Sequence, residues 1–145
     1  KDNLKEIKEE TLTQCIEAVE PWEMVFGKVA EGPSILKRDG LYYLLYSAND
    51  FRSQDYAVGY ATSDSPFGPW KKNSKNPLLH RVDELVGTGH GAPFADKDGN
   101  LRYIFHAHKS QTEVNQRNSY IVDMSLSGKD QVSIGGGLIR PAVVK

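Results

Sequence analysis

The chain has 145 residues, 39% of them apolar, and its 18 basic and 19 acidic side chains leave a formal net charge of −1. That composition can bury a core of single-domain size, and the longest basic clusters, Lys37-Arg38 and Lys71-Lys72, are dipeptides, so no nucleic-acid partner is expected. The single cysteine, Cys15, excludes an internal disulfide framework and a cysteine-rich zinc site, and no window nears the roughly 18 apolar residues of a membrane span, so no membrane partner is expected either.

In chain order, the N-terminus is charged rather than signal-like, residues 1–14 could start a short helix, and residues 11–19 read equally well as a strand. Cys15 reads as a small apolar residue. The clear pattern begins at Glu31-Gly32-Pro33-Ser34-Ile35-Leu36-Lys37-Arg38-Asp39-Gly40, which returns loosely as His90-Gly91-Ala92-Pro93-Phe94-Ala95-Asp96-Lys97-Asp98-Gly99. The Asp-Gly pairs and the leading glycines both recur at a spacing of 59.

Each copy predicts a hairpin, because Asp-Gly supplies a two-residue turn that tolerates positive φ. Aromatic-rich second strands follow at 41–47 (LYYLLYS) and 101–108 (LRYIFHAH), then third strands at 56–62 (YAVGYAT) and 119–124 (SYIVDM). Fourth strands are predicted at 70–72 and 131–134, with Pro- and Gly-rich loop chemistry between the copies at Ser65-Pro66-Phe67-Gly68-Pro69-Trp70 and Asn76-Pro77-Leu78. Two successive four-stranded meanders are the sequence pattern of propeller blades, so the predicted fold is all-β. A closed propeller needs at least about four blades and this chain holds roughly two and a half, so the missing blades should come from the rest of a parent protein or from another copy of the chain.

Glu31 and His90 are one repeat apart, which predicts equivalent places, each just before the innermost strand of its blade, and convergence at one rim of the central channel. His106 and His108 share a strand face at a spacing that can hold zinc, but without further ligands at suitable spacing they read as packing or hydrogen-bonding residues. Tyr42, Tyr43, Tyr46, Tyr60 and Tyr103 read as interstrand packing, while Phe51 and Tyr56 flank the polar loop 49–55.

The runs Val29-Ala30-Glu31-Gly32-Pro33, Gly40-Leu41-Tyr42-Tyr43-Leu44-Leu45-Tyr46-Ser47, Tyr56-Ala57-Val58-Gly59-Tyr60-Ala61-Thr62-Ser63, Gly68-Pro69-Trp70, Gly87-Thr88-Gly89-His90-Gly91 and Tyr103-Ile104-Phe105-His106 together resemble glycoside hydrolase family 43. The resemblance implies the last two blades, plus part of a third, of a five-bladed β-propeller: residues 1–28 ending the preceding blade, 29–80 forming the blade with Glu31, and 81–145 the final blade with His90. It implies a hydrolase of xylose- or arabinose-containing oligo- or polysaccharides, with Glu31 as general acid. It further implies that His90 organises a central Ca2+ directly or through water, with no organic cofactor. Arg117, in Asn115-Gln116-Arg117-Asn118-Ser119-Tyr120, resembles the family's substrate-binding arginine, and Phe51 and Tyr56, flanking the polar loop, could border the sugar site. A secreted or periplasmic location is favoured by the same resemblance, and a cytoplasmic one stays open.

The chemistry suits these residue types. An oxocarbenium-like transition state needs an acid for the leaving oxygen and a second carboxylate to activate water, about 6.5–9.5 Å away in an inverting enzyme. A glutamate acts as acid once burial or a neighbouring carboxylate raises its pKa. No aspartate here matches the family's motifs for the base or for the residue that tunes the acid, so the isolated chain is expected to be inactive. The alternative is a non-catalytic carbohydrate-binding or scaffold module built from the same blades.

Overall fold

The computed structural model describes residues 6–114 and 116–142. They form two four-stranded antiparallel sheets, each a meander whose strand order follows the sequence. The first contains β1 (Ala30–Arg38), β2 (Leu41–Ala48), β3 (Ala57–Ser63) and β4 (Lys71–Lys72). The second contains β5 (Gly89–Ala95), β6 (Leu101–His108), β7 (Arg117–Leu126) and β8 (Val132–Ile134). The all-β expectation holds, and the predicted second, third and fourth strands lie within two residues of these bounds.

Strand β2 is buried on both faces, which is why its sequence is an almost unbroken apolar run rather than an alternation. Its Tyr43 and Leu45 point toward the second sheet and share a core with Val58, Tyr60, Tyr103 and Phe105. Leu44, Tyr46 and Ala48 point the other way, under Ile16, Trp22, Ala30 and Trp70. Trp22 fits there because Gly59 carries no side chain: a Cβ at Gly59 would stand 2.9 Å from the indole.

The segment that covers this second face is neither helix nor strand over its described part. One-turn 3-10 helices at Glu9–Thr11 and Pro21–Glu23 flank irregular chain, in which Ile16 and Ala18 turn inward without a neighbouring strand to pair with. The predicted strand at 11–19 therefore does not form, and of the predicted helix over 1–14 only that single turn appears; residues 1–5 lie outside the described residues. Cys15 is exposed, with Sγ 3.8 Å from the Thr13 carbonyl, so it does not serve as a packing residue.

The segment is held by a buried polar knot. Glu23 is completely buried, and its carboxylate accepts hydrogen bonds from the Val19 and Glu20 amides at 2.7 and 2.8 Å, from the Tyr46 hydroxyl at 2.7 Å and from Lys72 Nζ at 2.6 Å. Burial alone would raise this carboxyl, but the Lys72 ammonium, the two amides and the Tyr46 hydroxyl together hold it below the usual carboxylate range.

The two hairpins differ. Asp39-Gly40 is a two-residue turn between paired Arg38 and Leu41, with φ of +50° and +82° as a primed turn requires. In the second copy Ala95 pairs with Leu101, so residues 96–100 make a longer loop than the Asp-Gly pair predicts. Asp96 organises it, its Oδ1 accepting from the Asp98 and Asn100 amides, each at 2.9 Å.

Candidate functional site

The longer second loop changes the register between the sheets. Glu31 pairs with Ser47 and Gly89 with His106, and each pair is followed by a bulge, before Ser34 and before Ala92 respectively. The counterpart of Glu31 is thus Gly89, and His90 corresponds to Gly32. Both bulge residues have positive φ, +58° at Gly32 and +48° at His90. The expected equivalence of Glu31 and His90 is off by one position, because the extra loop residue lies after β5, where a glycine-to-glycine alignment absorbs it.

The two side chains nevertheless meet, through Tyr56. Its hydroxyl donates to Glu31 Oε1 at 2.9 Å and stands 3.4 Å from His90 Nδ1. Tyr56 ends the polar loop just before β3 and is fully buried. One side of its ring lies so close to Gly89 that a Cβ there has no room, and the His106 imidazole stacks with it at 5.6 Å and 12°. Ser47, the cross-strand partner of Glu31, accepts the His90 amide hydrogen at 2.7 Å. Burial, followed by the bond to Glu31, pushes the Tyr56 phenol upward, so it remains a neutral donor across the ordinary pH range.

His106 stacks with His90 at 6.3 Å as well. Burial, then the positive charge of Arg117 and the neighbouring His90 and His108, push its imidazole down to about 4, so it is neutral near pH 7. Arg117, the first residue of β7, reaches back to within 3.4 Å of His106 Nε2 and lays its guanidinium 4.7 Å over the Phe51 ring. Phe51 is 40% exposed, and its carbonyl accepts from Nε2–H of buried His108 at 2.8 Å.

Glu31, His90, Arg117 and Phe51 are therefore brought into one neighbourhood, with Tyr56, Ser47 and His106 as connectors. An open groove of about 460 Å³ runs past Gly32, Ser34, His90, Ile104, His106 and Ser119, and a second of about 540 Å³ lies among His90, His106, Gln116 and Arg117. The connecting role of Tyr56 had only a faint sequence signal, a lone tyrosine closing a polar loop immediately before a strand.

Among the described residues, Glu31 is the only carboxylate of this cluster, and no group of three His, Cys, Asp or Glu is arranged to hold a metal. Calcium takes six to eight oxygens, whereas this cluster offers imidazole nitrogens and one carboxylate, so the described residues do not by themselves complete a calcium shell here. His108, committed to the Phe51 carbonyl, is not paired with His106 as a zinc ligand.

Comparison with known proteins matches the profile of glycosyl hydrolases family 43 to residues 2–129. The whole chain superposes on 50% of the crystallised endo-1,4-beta-xylanase from Bacteroides thetaiotaomicron VPI-5482, with a TM-score of 0.96 and 57% identity. For a thermostable family-43 glycoside hydrolase the TM-score is 0.78 and the identity 32%, over 90% of this chain and 43% of that one. Among curated proteins, the extracellular exo-alpha-(1->5)-L-arabinofuranosidase of Streptomyces chartreusis is 35% identical over 94 residues, and the beta-D-galactofuranosidase xynD of Aspergillus niger 34% identical over 76. Those matches cover 59% and 52% of this chain but 28% and 22% of the two relatives, so the chain spans only part of the length of each protein it matches.

Proposed function

The chain belongs to glycosyl hydrolases family 43, and on that premise we propose that it is the acid-bearing part of a glycosidase acting on xylose- or arabinose-containing glycosides. The observation that carries the reading is Glu31, whose carboxylate is anchored through one oxygen by the buried Tyr56 hydroxyl beside His90 and the open groove. In this reading Glu31 gives its proton to the departing glycosidic oxygen as positive charge develops on the sugar ring. An aspartate outside this chain activates water on the opposite face, and the anomeric centre inverts. Arg117 and Phe51, already in contact, hold the sugar by hydrogen bonding and by stacking.

The two sheets are then the last two blades of a five-bladed propeller, divided at residues 1–28, 29–80 and 81–145, and the preceding blades or a second copy complete it. Exposed Leu12, Val19, Val25 and Phe26, all ahead of β1, support a partner surface on that side. A central calcium would draw its oxygens from water and from the other blades, with His90 reaching it directly or through water. The extracellular relative supports a secreted or periplasmic location.

The test is Glu31→Gln in the full-length protein. Hydrolysis of aryl xylosides and arabinosides should fall by about 10²-fold or more while sugar binding persists. Sugar binding by a wild-type protein that hydrolyses none of these substrates would replace this reading with a non-catalytic binding module.

A further inference from the structure

Resting on the reading of Glu31 as the acid, we propose that Tyr56 is a positioning residue that decides which carboxyl oxygen of Glu31 carries the proton. A phenol has one hydrogen to give. Here the Tyr56 hydrogen goes to Glu31 Oε1 at 2.9 Å, the shorter of its two polar contacts. An oxygen that accepts this bond is a poor place for a second hydrogen, so the acid proton sits on Oε2, the oxygen that Tyr56 does not engage.

The same hydroxyl sets His90. With its hydrogen committed to Glu31, Tyr56 can only accept from His90 Nδ1 at 3.4 Å, which assigns the hydrogen of a neutral His90 to Nδ1 and leaves its Nε2 as an acceptor. The direction of the chain, His90 to Tyr56 to Glu31, thus follows from counting hydrogens.

Rigidity is what makes this positioning rather than mere contact. The Tyr56 ring cannot swing, because Gly89 closes one side without room for even a Cβ and His106 stacks on the ring at 5.6 Å. His90 is fixed on the other flank of the hydroxyl, since Ser47 Oγ accepts its amide hydrogen at 2.7 Å. A buried donor held in this way loses little entropy when it orients the carboxyl.

Tyr56→Phe in the full-length protein keeps the ring and deletes the hydroxyl. Losing a correctly placed acid proton harms poor leaving groups most, because good ones depart without it. The expected result is a kcat lowered about tenfold on alkyl or unactivated aryl glycosides, KM within about twofold of wild type, and a loss that shrinks toward none on a dinitrophenyl glycoside. A uniform loss across leaving groups, or none, overturns the proposal.

Glu31→Gln measured on the same series separates the two claims. If Glu31→Gln behaves like wild type, the acid assignment fails and the proposal with it. If Glu31→Gln is disabled on poor leaving groups while Tyr56→Phe is not, only the positioning role fails. Should Tyr56→Phe not fold, His106→Ala removes the ring stacked on Tyr56 and must show the same leaving-group trend in milder form; a flat response overturns the proposal equally.

Discussion

The imidazole of His90 lies on Gly32: a Cβ built at that glycine would stand 3.3 Å from both Cε1 and Nδ1 of the ring. Gly32 also has φ of +58°, so an alanine there meets both backbone strain and a neighbour that must move. Gly40, at φ +82° with nothing within 4 Å, isolates the strain alone. Both Gly→Ala changes should cost about 1–2 kcal/mol in denaturant unfolding, with Gly32→Ala the costlier. Equal losses would show that the His90 contact contributes nothing.

Glu23 makes stability depend on acid. Its folded carboxyl is held below its ordinary value of 4.5, so its contribution is complete above that value and disappears as pH falls through the lower, folded one. Thermal melts should show the midpoint dropping as pH is lowered below about 4.5, and Glu23→Gln should flatten part of that drop. At neutral pH the same change leaves Lys72, whose side chain is 15% exposed, without its counter-charge, and a loss of about 3 kcal/mol is expected. A variant as stable as wild type at pH 7 would contradict the buried-pair account.

Arg117 and Phe51 should be energetically coupled. Their exposed cation–π geometry predicts an interaction of about 0.5–1 kcal/mol in a double-mutant cycle of Arg117→Ala and Phe51→Ala, read by unfolding. Strict additivity would reduce the contact to proximity. Each single variant should also raise KM for sugar substrates in the full-length protein.

The 145-residue chain on its own should neither hydrolyse aryl xylosides nor stay monomeric. Exposed Val19, Val25 and Phe26 form a surface that favours association, and sedimentation should show species larger than one chain. A well-folded monomer at high concentration would contradict the partner surface, and turnover by the isolated chain would place both catalytic carboxylates within it.

Much of the architecture was legible because local chemistry and tertiary context agree. Asp39-Gly40 makes the turn its residues favour, and the aromatic runs at 41–47 and 101–108 become strands buried from at least one side. Register is not legible: a repeat counted from glycines hides the longer loop that Asp96 closes, and it equates His90 with Glu31 although the strand pairing makes His90 the counterpart of Gly32. Cys15 and residues 11–19 misled for a related reason. Their composition suits a strand, but a strand needs an edge to join, and the segment instead crosses a sheet face that Trp22 and Ile16 cover. Within the site, Glu31, His90, Arg117 and Phe51 could each be picked out along the chain, whereas Tyr56 acquires its place only when two sheets approach.

That approach has a temporal meaning. Tyr56 stands just before β3 of the first sheet, yet the walls that immobilise its ring, Gly89 and His106, belong to the second. Until the sheets dock, nothing holds the Tyr56 ring, and its hydroxyl cannot keep a fixed place against Glu31. On the proposed reading of Glu31, assembly therefore precedes reactivity: a half-folded chain, however much strand it has formed, holds no donor against that carboxylate.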